Sequence, residues 1–78
     1  MIRLKNIVKN SNVIQCQIMP EDSKEYGELK VYLSTESFDY TLPNGYDWCE
    51  NHVYHAKQAL IEMAKSNTIV KEKTIMWY

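Results

Sequence analysis

The chain has 78 residues, 45% hydrophobic and 24% charged, a composition typical of a folded globular protein and not of a disordered one. The length predicts a single domain over residues 1–78 with a thin core, because a small domain buries only about 60% of its unfolded surface. The net charge of −1 disfavours bulk electrostatic capture of nucleic acid or membrane.

The first half of the chain alternates apolar and polar residues with the period of two that is typical of half-buried strands. Short polar links separate four predicted strands, at residues 2–8, 13–19, 29–33 and 38–42. In the first strand we place Ile2, Leu4 and Val8 toward the core and Ile7 on the opposite side. The core-facing side chains of the next two strands are Ile14, Cys16, Ile18, Leu29, Val31 and Leu33, and in the fourth strand Phe38, Tyr40 and Leu42 alternate with Asp39 and Thr41.

The N-terminal residues also bear on location. Residues 1–5 alternate apolar and basic side chains and lack the continuous apolar stretch of a signal peptide. No segment reaches the length of a transmembrane helix. We therefore expect a cytoplasmic protein that does not associate with a membrane, with Cys16 and Cys49 as free thiols in a reducing compartment.

One helix is predicted from Trp48 to Ser66. Asp47 stands at the N-cap position, Glu50 three residues later completes the spacing of a capping box, and Asn67 is the predicted C-cap. At about 100° per residue, one arc of this helix is apolar and should cover the sheet. That arc consists of Cys49, Val53, Ala56, Ala59, Leu60, Met63 and Ala64.

The last segment, residues 68–78, has strand character and ends in large apolar side chains on both faces. We interpret it as a strand that returns to the sheet, since a frayed tail is seldom so apolar. The predicted fold is therefore α+β: a mostly antiparallel sheet of four or five strands in the order β-β-β-β-α-β, with one amphipathic helix packed on one face.

Several short stretches carry a resemblance to known proteins: Leu42-Pro43, Gly45-Tyr46, Trp48-Cys49, His55-Ala56 and the closing residues 72–78. With these residues, the chain resembles short uncharacterised proteins of bacterial chromosomes and prophages. The resemblance covers most of the chain and implies no particular activity. It suggests an accessory protein of a mobile element.

Cys49, His52 and His55 form the most suggestive group of chemically active side chains. Cysteine and histidine are common zinc ligands, and Cys16 is a further candidate from the sheet. His55, however, lies about 120° from Cys49 around the helix, so one metal ion cannot easily bind both. We favour a buried core thiol at Cys49, and we predict no enzyme, catalytic residue, metal or cofactor. A metal site at Cys49, His52 and Cys16, or a Cys–His nucleophile pair, is the alternative.

The face of the sheet opposite the helix, called the open face below, is a second candidate site. Its predicted basic and aromatic residues are Arg3, Lys5, Lys30, Tyr32 and Lys73. Such residues on an open sheet can stack and neutralise single-stranded nucleic acid. They can equally be a solvated face whose lysines discourage aggregation. Because the net charge is not positive, nucleic acid is the weaker partner hypothesis.

Apolar side chains on the outer face of the helix favour a protein partner. Tyr54 and Ile61 lie seven residues apart on the face that we expect to be polar, which suits an anchor for another protein. Together with Trp77 and Tyr78 in the last strand, they form the predicted interaction surface. The functional hypothesis is a small non-enzymatic interaction or accessory protein that forms a homodimer or binds another protein.

Overall fold

The computed structural model describes residues 1–76 and contains a five-stranded antiparallel sheet with one helix, which confirms the predicted fold class. The spatial order of the strands is β4-β3-β2-β1-β5. Their bounds are β1 Ile2–Asn10, β2 Val13–Pro20, β3 Gly27–Tyr32, β4 Ser37–Thr41 and β5 Lys73–Ile75. Trp77 and Tyr78, which the prediction includes in the last strand, lie outside the described residues.

The core lies between the helix and the inner side chains of the three middle strands. Ile14, Ile18, Leu29 and Val31 are fully buried, as their alternation predicts. Removing a side chain of this size from water contributes about 1.5–3 kcal/mol. The middle of the sheet therefore supplies much of the stability of the fold.

The second half of β1 differs from the prediction. Lys5 pairs with Gln17, whereas Val8 pairs with Gln15, so an extra residue is accommodated between them in a β-bulge. The bulge coincides with Asn6, whose φ of 53° is left-handed, a conformation that asparagine tolerates. As a result Ile7 is buried and Val8 is exposed, so our assignment of Val8 to the core was wrong.

The helix, α1, spans Glu50–Ser66 and follows a 3-10 turn at Asp47–Cys49. Cys49 occupies the N-cap position and no side chain caps either start, so the predicted capping box at Asp47 is wrong. The 3-10 turn explains this. It occupies Asp47–Cys49, so Asp47 does not stand directly before the first residue of α1. Asn67 ends the helix in the left-handed conformation, as predicted. Within residues 1–76, no helix is long and apolar enough to cross a membrane.

α1 packs over β1, β2 and β3. A helix is about 10 Å wide with its side chains, and neighbouring strands lie about 4.8 Å apart, so one helix covers two or three strands. The two outermost strands, β4 and β5, flank the covered region. This geometry leaves the inner side chains of β4 only partly buried: Phe38 is half-buried and Tyr40 is 36% exposed.

Candidate interaction surface

Two residues of the predicted interaction surface, Tyr54 and Ile61, differ strongly in solvent exposure. Tyr54 is 49% exposed, as the prediction requires, but Ile61 is only 2% exposed and belongs to the core. Ile61 lies beside Leu33, at the end of β3, in a depression that Lys65 and Glu36 also line. The start of the turn between β3 and β4 therefore lies beside this flank of the helix. Trp77 and Tyr78 lie outside the described residues.

Tyr54 belongs instead to an aromatic group on the inner side of β4, called here the edge aromatic cluster, which consists of Phe38, Tyr40 and Tyr54. The rings of Phe38 and Tyr40 stack with centroids 5.8 Å apart. The Tyr54 ring meets Phe38 edge-on at 5.5 Å, and the Lys57 ammonium lies 4.7 Å from the Phe38 centroid. Such ring pairs contribute about 0.5–1.5 kcal/mol beyond the burial of their area, so these contacts stabilise the rings in this arrangement.

Tyr40 and Tyr54 add hydroxyl groups to the cluster. Partial burial raises the pKa of Tyr40, and the nearby Glu50 carboxylate and Tyr54 hydroxyl raise it further. Its phenol is therefore protonated at neutral pH and can donate a hydrogen bond. The cluster thus combines three large rings with hydroxyl groups at its rim, a combination that is frequent in protein interfaces.

The backbone of β4 offers unpaired groups next to these rings. The Leu33 N–H donates to the carbonyl that precedes β2 (2.8 Å), and the direction of bonding alternates along an antiparallel strand. Lys30 in β3 therefore directs its backbone groups toward β4, where its partner is Asp39. The neighbours of Asp39, namely Phe38 and Tyr40, direct their N–H and C=O groups away from the sheet. Within residues 1–76, no strand pairs with this outer edge.

The opposite edge of the sheet, formed by β5, is short by comparison. β5 comprises three residues and begins with Lys73. Short edge strands and lysine side chains are devices by which natural sheets discourage further pairing. β4 is five residues long and has neither lysine nor proline. Of these two edges, β4 is the one suited to accept another strand.

The open face brings together four of the five predicted nucleic-acid residues. Arg3, Lys5, Lys30 and Tyr32 share this face, because their pairing partners in neighbouring strands also lie there. Lys73 does not: it pairs with Leu4, whose side chain points to the core, so our assignment of Lys73 to the open face was wrong. The sequence shows the alternation of β5, but only its register with β1 shows that Ile75 and Lys73 face the helix.

Acidic side chains share the open face with the basic ones. Glu28 pairs with Gln17, and Asp39 pairs with Lys30, so both carboxylates lie among the predicted nucleic-acid residues. The Arg3 guanidinium donates a hydrogen bond to the Ser23 carbonyl at 2.6 Å, which holds it against the loop after β2. The face is therefore of mixed charge, and part of its positive charge has a structural role.

His52 joins the start of α1 to the loop after β2. Its Nε2 lies 2.5 Å from Glu21 Oε1, and the N-terminal ammonium of Met1 lies 3.1 Å from the same oxygen. Both contacts lower the pKa of Glu21, the hydrogen bond with His52 most. The Trp48 ring covers His52 edge-on at 5.7 Å. This arrangement attaches the N-terminal end of α1 above the end of β2.

The two cysteines, Cys16 and Cys49, are free thiols and both are buried. Burial raises the pKa of Cys16 to about 12 and also raises the pKa of Cys49, an effect that favours the thiol over the nucleophilic thiolate. Among residues 1–76, no group of three or more His, Cys, Asp and Glu side chains is arranged to hold a metal ion. Cys49 is thus a fully buried thiol of the core.

No protein-family model, no curated protein and no solved structure matches this chain. The resemblance to short prophage proteins stays a prediction. The outer edge of β4 with its edge aromatic cluster is the surface that combines unpaired backbone groups with exposed rings. Sequence reasoning did not find it, because alternation alone does not show that β4 is an outer strand or that Tyr54 lies beside Phe38.

Proposed function

We propose that this protein is a small, non-enzymatic protein-binding module that accepts an extended segment of a partner as an additional strand beside β4. The observation that carries this proposal is the position of Phe38 and Tyr40. Both direct their backbone N–H and C=O groups outward while their rings lie in the edge aromatic cluster. Strand addition of this kind obtains affinity from backbone hydrogen bonds and specificity from alternate side chains.

The energetics favour an extended partner. Each backbone hydrogen bond contributes about 0.5–1.5 kcal/mol net, and partner side chains on the helix side of the sheet would cover Tyr40 and Tyr54. Both rings are partly exposed, so additional apolar area becomes buried when a strand is added. The hydroxyl groups of these tyrosines keep their polar ends accessible to water or to the partner.

Nucleic-acid binding at the open face has weaker support. Glu28 and Asp39 lie in the same rows of side chains as Lys5 and Lys30, and like charges would oppose a phosphate backbone there. Tyr32 also lies within hydrogen-bond reach of Asp39, at 3.4 Å. A positively charged track, which non-specific binding requires, is interrupted by these carboxylates.

The proposal can be tested with a displayed library of short peptides selected against the full chain. The matched variants are Tyr40→Pro and Tyr40→Val. Proline deletes the outward N–H but suits an edge strand, whereas valine removes the ring and keeps the N–H. We expect Tyr40→Pro to weaken binding of selected peptides at least about tenfold relative to Tyr40→Val.

Amide NMR spectra give the location of binding. Selected peptides should shift the amide signals of Phe38 and Tyr40 most, and those of β5 least. Peptides that bind the proline variant as well as the valine variant, or that shift mainly β5, would show that the β4 edge is not the binding surface. Circular dichroism of both variants serves as the control that each remains folded.

A further inference from the structure

We propose that the strand which pairs with β4 is β4 of a second copy of this chain, in an antiparallel dimer whose two-fold axis passes beside Tyr40. This inference rests on the proposed function and names its partner. Pairing two outer edges by a two-fold rotation produces one continuous ten-stranded sheet from two five-stranded ones. Because that axis is perpendicular to the sheet, both helices lie on the same side.

The outward backbone groups restrict this pairing to a few registers. Hydrogen-bonded positions must bring together residues whose N–H and C=O point outward, and in β4 those residues are Phe38 and Tyr40. Leu42 continues this alternation just beyond β4, so three two-fold arrangements give Phe38 an outward-directed partner. Phe38 lies opposite the partner's Phe38, opposite the partner's Tyr40, or opposite the partner's Leu42.

The first arrangement is excluded by the turn before β4. It would place Tyr40 opposite the partner's Glu36. Glu36 has a left-handed φ of 58° and already donates its N–H to the Tyr32 carbonyl at 2.8 Å. Its backbone therefore cannot continue a ladder of hydrogen bonds with a second strand.

Electrostatics disfavour the second arrangement. With Phe38 opposite the partner's Tyr40, the axis falls at Asp39, and the two Asp39 carboxylates face each other directly across the open face. Like charges in directly opposed positions of a sheet are destabilising. Lys30 beside each Asp39 compensates for one charge in the monomer, but it does not separate the two carboxylates in a dimer.

The third arrangement is self-complementary. Tyr40 lies opposite its own copy, Phe38 lies opposite the partner's Leu42, and Asp39 lies opposite the partner's Thr41. Leu42 precedes Pro43, which favours extended backbone at Leu42 and ends the ladder immediately after it. Carboxylate then faces hydroxyl on the open face, and aromatic and apolar side chains face each other on the helix side.

The edge aromatic cluster supports the same arrangement. Phe38, Tyr40 and Tyr54 lie on the helix side of β4, and the rotation keeps the two helix sides together. The clusters of the two copies therefore meet beside the axis. Tyr40, 36% exposed in one copy, becomes covered by its equivalent, and aromatic cross-strand pairs of this kind stabilise sheets.

Cysteine cross-linking of the full chain tests the register. The variants are Tyr40→Cys, Asp39→Cys and Thr41→Cys, with Thr74→Cys at the exposed β5 edge as the matched control. After mild oxidation, we expect Tyr40→Cys to form a covalent dimer. A mixture of Asp39→Cys with Thr41→Cys should cross-link readily, whereas Asp39→Cys alone should cross-link at least about tenfold more slowly, because opposed positions lie within disulfide range and diagonal positions do not. The wild-type chain, whose cysteines are buried, gives the background.

Size-exclusion chromatography with light scattering, over a range of concentrations, tests the partner itself. We expect a mass near twice 9.2 kDa at high concentration, and a dissociation constant at least about tenfold higher for Tyr40→Pro than for Tyr40→Val. Cross-linking of Thr74→Cys, or equal cross-linking of Asp39→Cys alone, would overturn this dimer. A monomer at every concentration that still binds displayed peptides at β4 would overturn the second copy as partner but not the binding module. A monomer that binds no such peptide would overturn both.

Discussion

β3 and β4 are neighbouring strands with the same alternation of apolar and polar residues, yet their inner side chains have different surroundings. Leu29 and Val31 in β3 are fully buried beneath α1. Their pairing partners in β4, Tyr40 and Phe38, are partly exposed, although they lie on the same face of the sheet. The difference arises because one helix is too narrow to cover a fourth strand.

Apolar residues have different roles in the two strands. In β3 they are enclosed by the fold itself and stabilise it. In β4 the rings remain accessible, on a strand whose outward backbone groups have no partner within residues 1–76. An aromatic edge strand of this kind is a template for pairing with another chain. If β3 carries the core, substitutions beneath the helix should cost far more stability than substitutions at exposed or partly exposed positions.

The largest expected effect is at Leu29. Leu29→Ala should lower the free energy of unfolding by about 2–5 kcal/mol, because it leaves a cavity beneath the helix. The matched control is Lys30→Ala, next in the same strand but exposed, which should change it by less than about 0.5 kcal/mol. Urea unfolding followed by circular dichroism measures both. Similar losses for the two variants would mean that β3 does not carry the core.

A second prediction compares two residues that share one flank of α1. Ile61→Ala should cost about 2–4 kcal/mol, because Ile61 is buried in the core cluster. Tyr54→Ala should cost about 0.5–1.5 kcal/mol, the contribution of its edge-on contact with Phe38. Urea midpoints at one low protein concentration measure the difference. A larger loss for Tyr54→Ala would place Tyr54, and not Ile61, in the core.

A third prediction concerns the contact that joins β3 to β4. A Cβ atom at Gly27 would lie 1.9 Å from the Thr41 carbonyl oxygen, so Gly27→Ala must displace the end of β4. We expect a loss of about 1–3 kcal/mol. Gly45→Ala is the control: its Cβ meets no atom within 4 Å, and only its φ of 87° is strained. Thermal unfolding, with amide exchange at Thr41, measures the effect. Normal protection of Thr41 in Gly27→Ala would contradict the prediction.

The smallest expected effect is the pH dependence of the contact between Glu21 and His52. This contact attaches the start of α1 to the loop after β2. The pKa of Glu21 is lowered in the folded state from its ordinary value of 4.5, chiefly by His52. The folded state therefore binds the proton less readily than the unfolded state. The contribution of Glu21 is fully present above the ordinary pKa and is lost as the pH falls through the lowered pKa.

Urea unfolding of Glu21→Gln over a pH series measures this contribution. The variant should lose less stability than the wild-type chain as the pH falls below about 4.5. Glu25→Gln, which alters an exposed carboxylate of the same loop, is the control for the removal of one negative charge. If Glu21→Gln followed the wild-type curve, the contact with His52 would not stabilise the fold.

The sequence by itself determined the features that depend on local periodicity. The alternation in β2 and β3 identified Ile14, Ile18, Leu29 and Val31 as core residues, and all four are buried. The helical period identified α1, and a residue that tolerates left-handed backbone, Asn67, marked its end. These features follow from interactions within a few residues of the chain, so the sequence is sufficient to predict them.

Tertiary structure decided which residues of these periodic patterns are buried. The bulge at Asn6 moves Ile7 into the core, and the register of β5 with β1 turns Lys73 toward the helix. Packing against the core buries Ile61, which lies beside the turn after β3, whereas the width of one helix leaves Tyr40 partly exposed. Periodicity specifies the relative orientation of side chains within one element. Burial depends on how far the neighbouring elements extend over them, and that is set only when the elements pack.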